Sequence, residues 1–433
     1  MRRFFLIANV TLLCSAGSAT AQSWVDLTPS TGSAPAARRN ASAILDPVDH
    51  RMVIFGGFSN GYLNDIWAFD LDTNTWANLT PPSGPAPAPR LTPASVYDPD
   101  GHRMITWSGQ GQGAFFNDVW AFDFDTNTWS QFTPSGGPPQ IRYGVGHAWD
   151  PLAKELVTFA GFTNMGRFDD VWRFNAQGPA WANVSPGTGP LARCLHAACY
   201  DTQKHRMIMY AGQNNDGALE DIWALDLDTD TWTELTPVVR PSARFFSPVV
   251  YDTANNRVTM FGGQAMLGVS NEAWVFDLWT NQWTQLAPAG TPPTPRSAAA
   301  AIHDPANDRM VIFGGIDTVV RNHVWSLEDL SGTSTGIADQ APALVLQPNF
   351  PNPFNPSTTI EYALPARTRV SLRVYDARGA LVRTLFDGIE NGGTRRVTWD
   401  GRNDAGVAVA SGVYLCRIDA AGSTRTRKMT LLK

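Results

Sequence analysis

Six arginines recur at almost equal intervals: Arg38, Arg90, Arg142, Arg193, Arg244 and Arg296 are 52, 52, 51, 51 and 52 residues apart. A guanidinium is always charged and offers a planar fork of donors that matches a carboxylate. A ring of six could therefore bind a carboxylate-bearing glycan or peptide. The regular spacing equally suits a scaffold, with each Arg bonding carbonyls or an adjacent acidic side chain, because ligands rarely have six-fold symmetry. Residues that break the repeat discriminate better. Tyr62, Phe115, Phe116 and Phe168 put aromatics on connecting loops, beside Arg167, Asp216 and Arg321. Such groups suit sugar rings or peptide side chains, and they could also cap the elements beneath them.

Other reactive residue types form no pattern. His147, His196, His303 and His323 lie in different repeats with no mutual spacing signal. There is no Ser/His/Asp order, no metal-ligand cluster and no phosphate-cradling glycine loop. Asp70-x-Asp72-x-Asn74 and its counterparts at 123–127 and 226–230 imitate the start of a calcium loop, but lack its central Gly and distal Glu. No catalytic residue, metal or cofactor is expected. Cys194 and Cys199 are five apart on one expected strand, so they point to opposite faces and form no disulfide.

The elements that must position these residues come from an internal repeat of about 51 residues. Each arginine opens a ten-residue run ending in Asp plus Pro or Thr, such as RRNASAILDP and RFFSPVVYDT. A second run follows (RMVIFGG at 51–57, RVTMFGG at 257–263), then a variable loop, then a third (NDIWAFD at 64–70, EDIWALD at 220–226). Five copies add a Trp nine residues later: Trp76, Trp129, Trp181, Trp232 and Trp283. Four β-rich runs per unit, separated by turn residues, predict a four-stranded sheet. With a short hairpin at 72–75, Leu71 should face Trp76, so that Trp67, Phe69, Leu71 and Trp76 share one sheet face.

The sixth unit reaches Trp325 and then lacks a fourth strand, while residues 23–29 (SWVDLTP) match 75–81 (TWANLTP). The segment around Trp24 is thus expected to pair with the Trp325 strand and close the ring. Across 23–330 the sequence resembles a kelch-type β-propeller, on the Gly-Gly exits, the downstream Trp and the repeat length. It departs where Gly109, Gly161 and Gly212 follow a non-Gly residue and where Glu155 replaces Arg. Six repeats closed in this way give six blades, and the resemblance implies a loop-bearing face like the one with which such proteins often bind acidic partner segments. Some proteins of this fold are enzymes, so a propeller enzyme acting on an acidic sugar, mutarotase-like, is the alternative.

The ends differ from the ring. Residues 1–21 read as a signal peptide: Arg2 and Arg3, an apolar stretch from 4 to 13, and Ala19-Thr20-Ala21 as a cleavage site. No apolar stretch of about 20 residues follows, so no transmembrane segment is expected. The net charge of −6 disfavours nucleic acid as a partner. Residues 331–346 are small and polar, a linker by composition. Beyond it, 343–433 hold 13 Lys and Arg against 7 Asp and Glu, while 22–342 hold 18 against 32. Residues 347–433 carry short alternating runs that predict a small β-sandwich. PNPFNPSTTIEYALP, VYDARG, TWDGRNDAG, SGVYLCRI and KMTLLK closely resemble the type IX secretion C-terminal sorting domain, which is similar to the Ig-like domain of flagellar hook-capping proteins. The expectation is an all-β chain comprising a signal peptide (1–21), a six-bladed kelch β-propeller (22–330), a linker (331–346) and an Ig-like sorting domain (347–433). It would be secreted or surface-bound via the periplasm, with the secretion machinery as partner of the tail and a glycan or protein ligand at the propeller face.

Overall fold

A computed structural model describes residues 22–266, 268–331, 344–346, 349, 351–364, 368–390, 393–420 and 423–432. The expected signal peptide at 1–21 and residues 332–343 of the expected linker lie outside the described residues. The described chain is all-β, with no helix, and divides into two compact units, Met1–Gly336 and Ile337–Lys433.

The first unit contains six four-stranded sheets. Sheet one runs Ser42–Asp46, Arg51–Phe55, Ile66–Asp70 and Thr75–Asn78, each strand antiparallel to the next, as four consecutive runs with short turns require. Sheets two to five repeat this order, starting at Ala94–Asp98, Gly146–Asp150, Ala197–Asp201 and Val249–Asp252. Sheet six takes Ala300–Asp304, Arg309–Phe313 and Val324–Glu328 from the sixth repeat and Ser23–Asp26 as its outer strand. Trp24 lies opposite Leu327 and Asp26 opposite Trp325, so the expected closure is observed. The first strand of each sheet touches that of the next, and that of sheet six touches that of sheet one.

Two sets of contacts run round this ring. The outer-strand Trp of each sheet meets an aromatic on the second strand of the preceding sheet: Trp76 meets Phe313, Trp129 Phe55, Trp181 Trp107, Trp232 Phe159, Trp283 Tyr210 and Trp24 Phe261. The ring centroids are 4.9–5.1 Å apart. A buried Trp removes roughly 200 Å² from water, worth several kcal/mol at roughly 25 cal/mol per Å². At the mouth of the central channel, backbone N–H groups step from sheet to sheet. Asn40 donates to Ala298, Ala298 to Phe246, Phe246 to Leu195, Leu195 to Gly144, and Thr92 to Asn40, at 2.7–3.0 Å.

The hairpin register corrects one expectation. Phe69, not Leu71, lies opposite Trp76, because residues 71–74 form the turn and Asn74 takes a φ of 53°. The shared face of Trp67, Phe69 and Trp76 survives, since the shift is two residues. The Gly-Gly exits are left-handed, and so are Ser108, Ala160 and Ala211, which stand where other repeats have the first Gly. The second Gly is the stricter one. Its φ is 88–114° across the six repeats, against 59–69° at the first position, a value that Ser and Ala also adopt here.

The second unit has a three-stranded sheet (Val345–Leu346, Thr358–Leu364, Gly393–Trp399) and a four-stranded one (Leu381–Glu390, Thr368–Asp376, Gly412–Ala420, Ser423–Leu431). Leu346, Tyr362, Leu372, Trp399, Ile418 and Met429 belong to their common core. Leu344 and Leu346 are buried there too, so the end of the expected linker belongs to this unit. Arg427 fixes it by donating from Nε to the Leu346 carbonyl at 2.9 Å.

Candidate functional site

The six repeated arginines are 0–1% exposed. Each enters just before its first strand, with Nε on the carbonyl two residues back and Nη1 on the carbonyl 18 residues on. For Arg90, Nε donates to the Ala88 carbonyl (2.9 Å) and Nη1 to the Ser108 carbonyl (3.0 Å). Its two Nη atoms then grip Asp118 at 2.7 and 2.9 Å. Asp65, Asp170, Asp221 and Glu272 play the same part for Arg38, Arg142, Arg193 and Arg244. The same acid accepts from the indole two residues later, as Trp120 Nε1 donates to Asp118 at 2.7 Å. The Arg and the Asp-x-Trp signatures are therefore one clamp. Arg90 and Arg142 also lie over Phe116 and Phe168, 4.1 and 3.9 Å from the ring centroids. Arg38, Arg90, Arg142, Arg193, Arg244 and Arg296 are thus buried and engaged by their own sheets, which favours the scaffold reading over the anion site, and Phe116 and Phe168 cover two of them.

The sixth clamp is incomplete. His323 stands where the acid should be; among the described residues Arg296 bonds only the carbonyls of Thr294 and Gly314 and the Thr294 hydroxyl. Burial, with the nearby Arg321 charge, pushes its pKa down to about 10. The Trp325 Nε1 has no hydrogen-bond partner.

The residue after each ring arginine points the other way along the extended chain. Those residues, Arg39, Leu91, Tyr143, Cys194, Phe245 and Ser297, do not repeat, and each pairs with the residue just beyond a Gly exit. The entries and the variable loops therefore share one face. A cavity of about 700 Å³ opens on it, walled by the loops of sheets four, five and six and by the entries to sheets five, six and one. Phe245, Phe246, Val269 and Ile316 give it an apolar wall, Met266 at its lip is 93% exposed, and Arg39, Asp216 and Asp317 supply charge.

Arg39 differs from Arg38 in every respect that matters for binding. It is half-buried and forms no ion pair among the described residues. Its guanidinium lies 5.3 Å from the Phe58 ring, which Tyr62 meets edge-on. Its Nε finds no acceptor. Arg321, by contrast, is spent on Asp317 at 2.6 Å, which with Thr294 holds that carboxyl far below the usual range. A second half-buried aromatic group flanks sheets two and three. Phe115 stacks on Tyr143 at 5.6 Å, Phe162 meets both edge-on, and Arg167 lies over Phe162 while donating to Asn215. The structure thus gathers Tyr62, Phe115, Arg167 and Arg321 on the loop face. Sequence reasoning missed Arg39, Phe245, Phe246 and Met266, although the non-repeating position after each ring arginine was a usable signal.

The central channel is narrower, with a cavity of about 230 Å³ lined mainly by Ala, Ser, Gly and Pro. His147 and His196 are structural there: their Nε2 atoms accept from the Ser95 and Gly146 N–H groups of the preceding sheet. Burial lowers both pKa values. On the opposite face the calcium-like turns are self-satisfied, Asp70 accepting from the N–H groups of Asp72 and Thr73.

Two family matches cover most of the chain. The KLHDC2/KLHL20/DRC7 Kelch-repeats domain matches residues 16–190 and 146–335, and the FlgD Ig-like domain matches residues 355–423. The chain is similar to the Dynein alpha chain, flagellar outer arm, of Chlamydomonas reinhardtii, 26% identical over 66% of this chain and 7% of that protein. It is 25% identical to the Leucine-zipper-like transcriptional regulator 1 homolog of Drosophila melanogaster, over 67% of this chain and 31% of the relative. With Kelch domain-containing protein 3 of Bos taurus it shares 27% identity over 62% of this chain and 75% of the relative. The chain spans less than a third of the first two.

Proposed function

The chain belongs to the Kelch-repeat family, and from that premise we propose that it is a binding protein whose loop-bearing face takes a protein segment. The observation that carries this is the cavity of about 700 Å³ between the loops of sheets four to six, with the unpaired Arg39 at one side. An apolar wall of Phe245, Phe246 and Ile316 suits one or two apolar side chains, Arg39 suits a carboxylate, and the exposed Met266 extends the contact outward. Kelch propellers commonly bind proteins, which agrees with a recognition role. The glycan alternative lost its main argument when the arginine ring proved to be internal.

Selection from a random peptide display library tests the reading. Selected peptides should combine apolar residues with an acidic group, and Arg39→Ala or Phe246→Ala should weaken them at least about tenfold without changing the melting temperature. Peptide binding that ignores both substitutions, or glycan-array binding without peptide binding, would overturn it.

We further propose that the chain is exported and sorted through its tail. Support comes from the signal-like composition of residues 1–21 and from the likeness of the terminal sandwich to the FlgD Ig-like domain.

A further inference from the structure

The face opposite the loops carries its own repeat. Each first strand ends in an aspartate, Asp46, Asp98, Asp150, Asp201, Asp252 or Asp304, all 0–1% exposed. A carboxylate so buried needs a compensating cation. Arg51, Arg103, Arg206 and Arg309 pair with Asp46, Asp98, Asp201 and Asp304 at 2.7–2.9 Å. Asp150 faces Arg173 and His205. Asp252 has no Lys, Arg or His within ion-pair distance among the described residues. Its oxygens accept only from the Ala254 and Asn255 backbone and the Asn255 amide.

A second device also fails at this place. In sheets one, two and four the left-handed residue of the first hairpin is a histidine that reaches back to the preceding sheet. His50 meets Asp304, His102 meets Asp46 and His205 meets Asp150, at 3.0–3.3 Å. In sheet six that position is Asp308, so a carboxylate stands where sheets one, two and four place a histidine. His303 lies beside the pair, its Nε2 buried without a hydrogen-bond partner. Ligand atoms of Asp252, His303 and Asp308 lie within 4.8 Å of one another. The other such group, Asp46, Asp49 and His102, already has Arg51 bonded to both its carboxylates.

We propose that Asp252, His303 and Asp308 hold a divalent transition-metal ion at the junction of sheets five and six. An ion at roughly 2.0–2.6 Å from each atom fits the span of the group with small side-chain adjustments. One imidazole among two carboxylates favours zinc or manganese over calcium, which prefers oxygen alone. Burial lowers the His303 pKa against the opposing charges of Asp252, Asp308 and Asp304. The ion would do for this junction what His50, His102 and His205 do for theirs, and would stabilise the ring rather than catalyse. The proposal is independent of the ligand-binding reading above.

Zinc chloride titrated calorimetrically into the EDTA-treated, dialysed full chain tests it. One site per chain is expected, with a rise in melting temperature on saturation. His303→Ala and Asp308→Asn should each weaken binding at least about tenfold, whereas His102→Ala should not; melting without metal verifies that each variant is folded. Absence of a saturable site, or a site indifferent to His303→Ala and Asp308→Asn, would overturn the proposal. Equal affinity for calcium would overturn the choice of metal.

Discussion

Trp24 packs its indole against Phe261 with ring centroids 5.1 Å apart, although 237 residues separate them in the chain. The contact repeats, between sheets six and five, the Trp–aromatic pairing found at every other junction. The seam between the two ends of the ring is thus built like the joints within it.

Trp24→Ala should cost about 3–5 kcal/mol, the usual penalty for deleting a buried indole. Trp76→Ala, at an ordinary joint, should cost a similar amount. Chemical denaturation followed by fluorescence checks both. A much smaller loss for Trp24 would mean that the outer strand of sheet six contributes little to the closed ring.

The Arg clamps predict changes of opposite sign. Asp118→Asn leaves the buried Arg90 without its counter-charge and should destabilise by about 3–5 kcal/mol. His323→Asp supplies the acid that the sixth clamp lacks and gives the Trp325 Nε1 an acceptor. It should stabilise by about 1–2 kcal/mol. Thermal melts of the two variants decide; a destabilised His323→Asp would show that the sixth site has been repacked around histidine.

The histidine bridges make stability depend on pH. His50, His102 and His205 each join two aspartates, and these bonds raise their pKa values against the opposing effect of burial. A raised folded value means that the stabilisation is complete below the ordinary value of about 6.5 and fades as pH rises through the folded value. The melting temperature should fall on that alkaline side, and the fall should flatten in the triple His→Gln variant. Equal pH profiles would remove the bridges as the cause.

Removal of residues 345–433 tests the proposed sorting role. The ring lies wholly in the first unit, so the truncated chain should fold, which its intrinsic fluorescence reports. In a bacterium with a type IX system it should accumulate in the periplasm instead of at the surface or in the medium. Surface display of the truncated form would sink the assignment.

Much of this was legible in the residues themselves. The closing strand could be read because a missing fourth run at 331 and a surplus copy at 23–29 complement each other. The terminal strands were visible from alternation, since one face of each is buried. The arginine ring was visible as spacing but not as a role, because spacing carries no information about burial; the partner acid lies 27 or 28 residues downstream. Arg39 escaped notice because a search guided by recurrence passes over a position that differs in all six repeats. The hairpin register was misplaced by two residues, since the turn begins immediately after Asp70.

Sheet six joins the earliest and latest portions of the ring, Ser23–Asp26 and Val324–Glu328. During synthesis, or threading through a narrow pore, the leading segment must wait unpaired until some three hundred further residues have emerged. Five sheets can assemble as they appear, whereas the sixth cannot, so the ring seals after its other five sheets are in place and its edges stay open to a neighbouring copy until then.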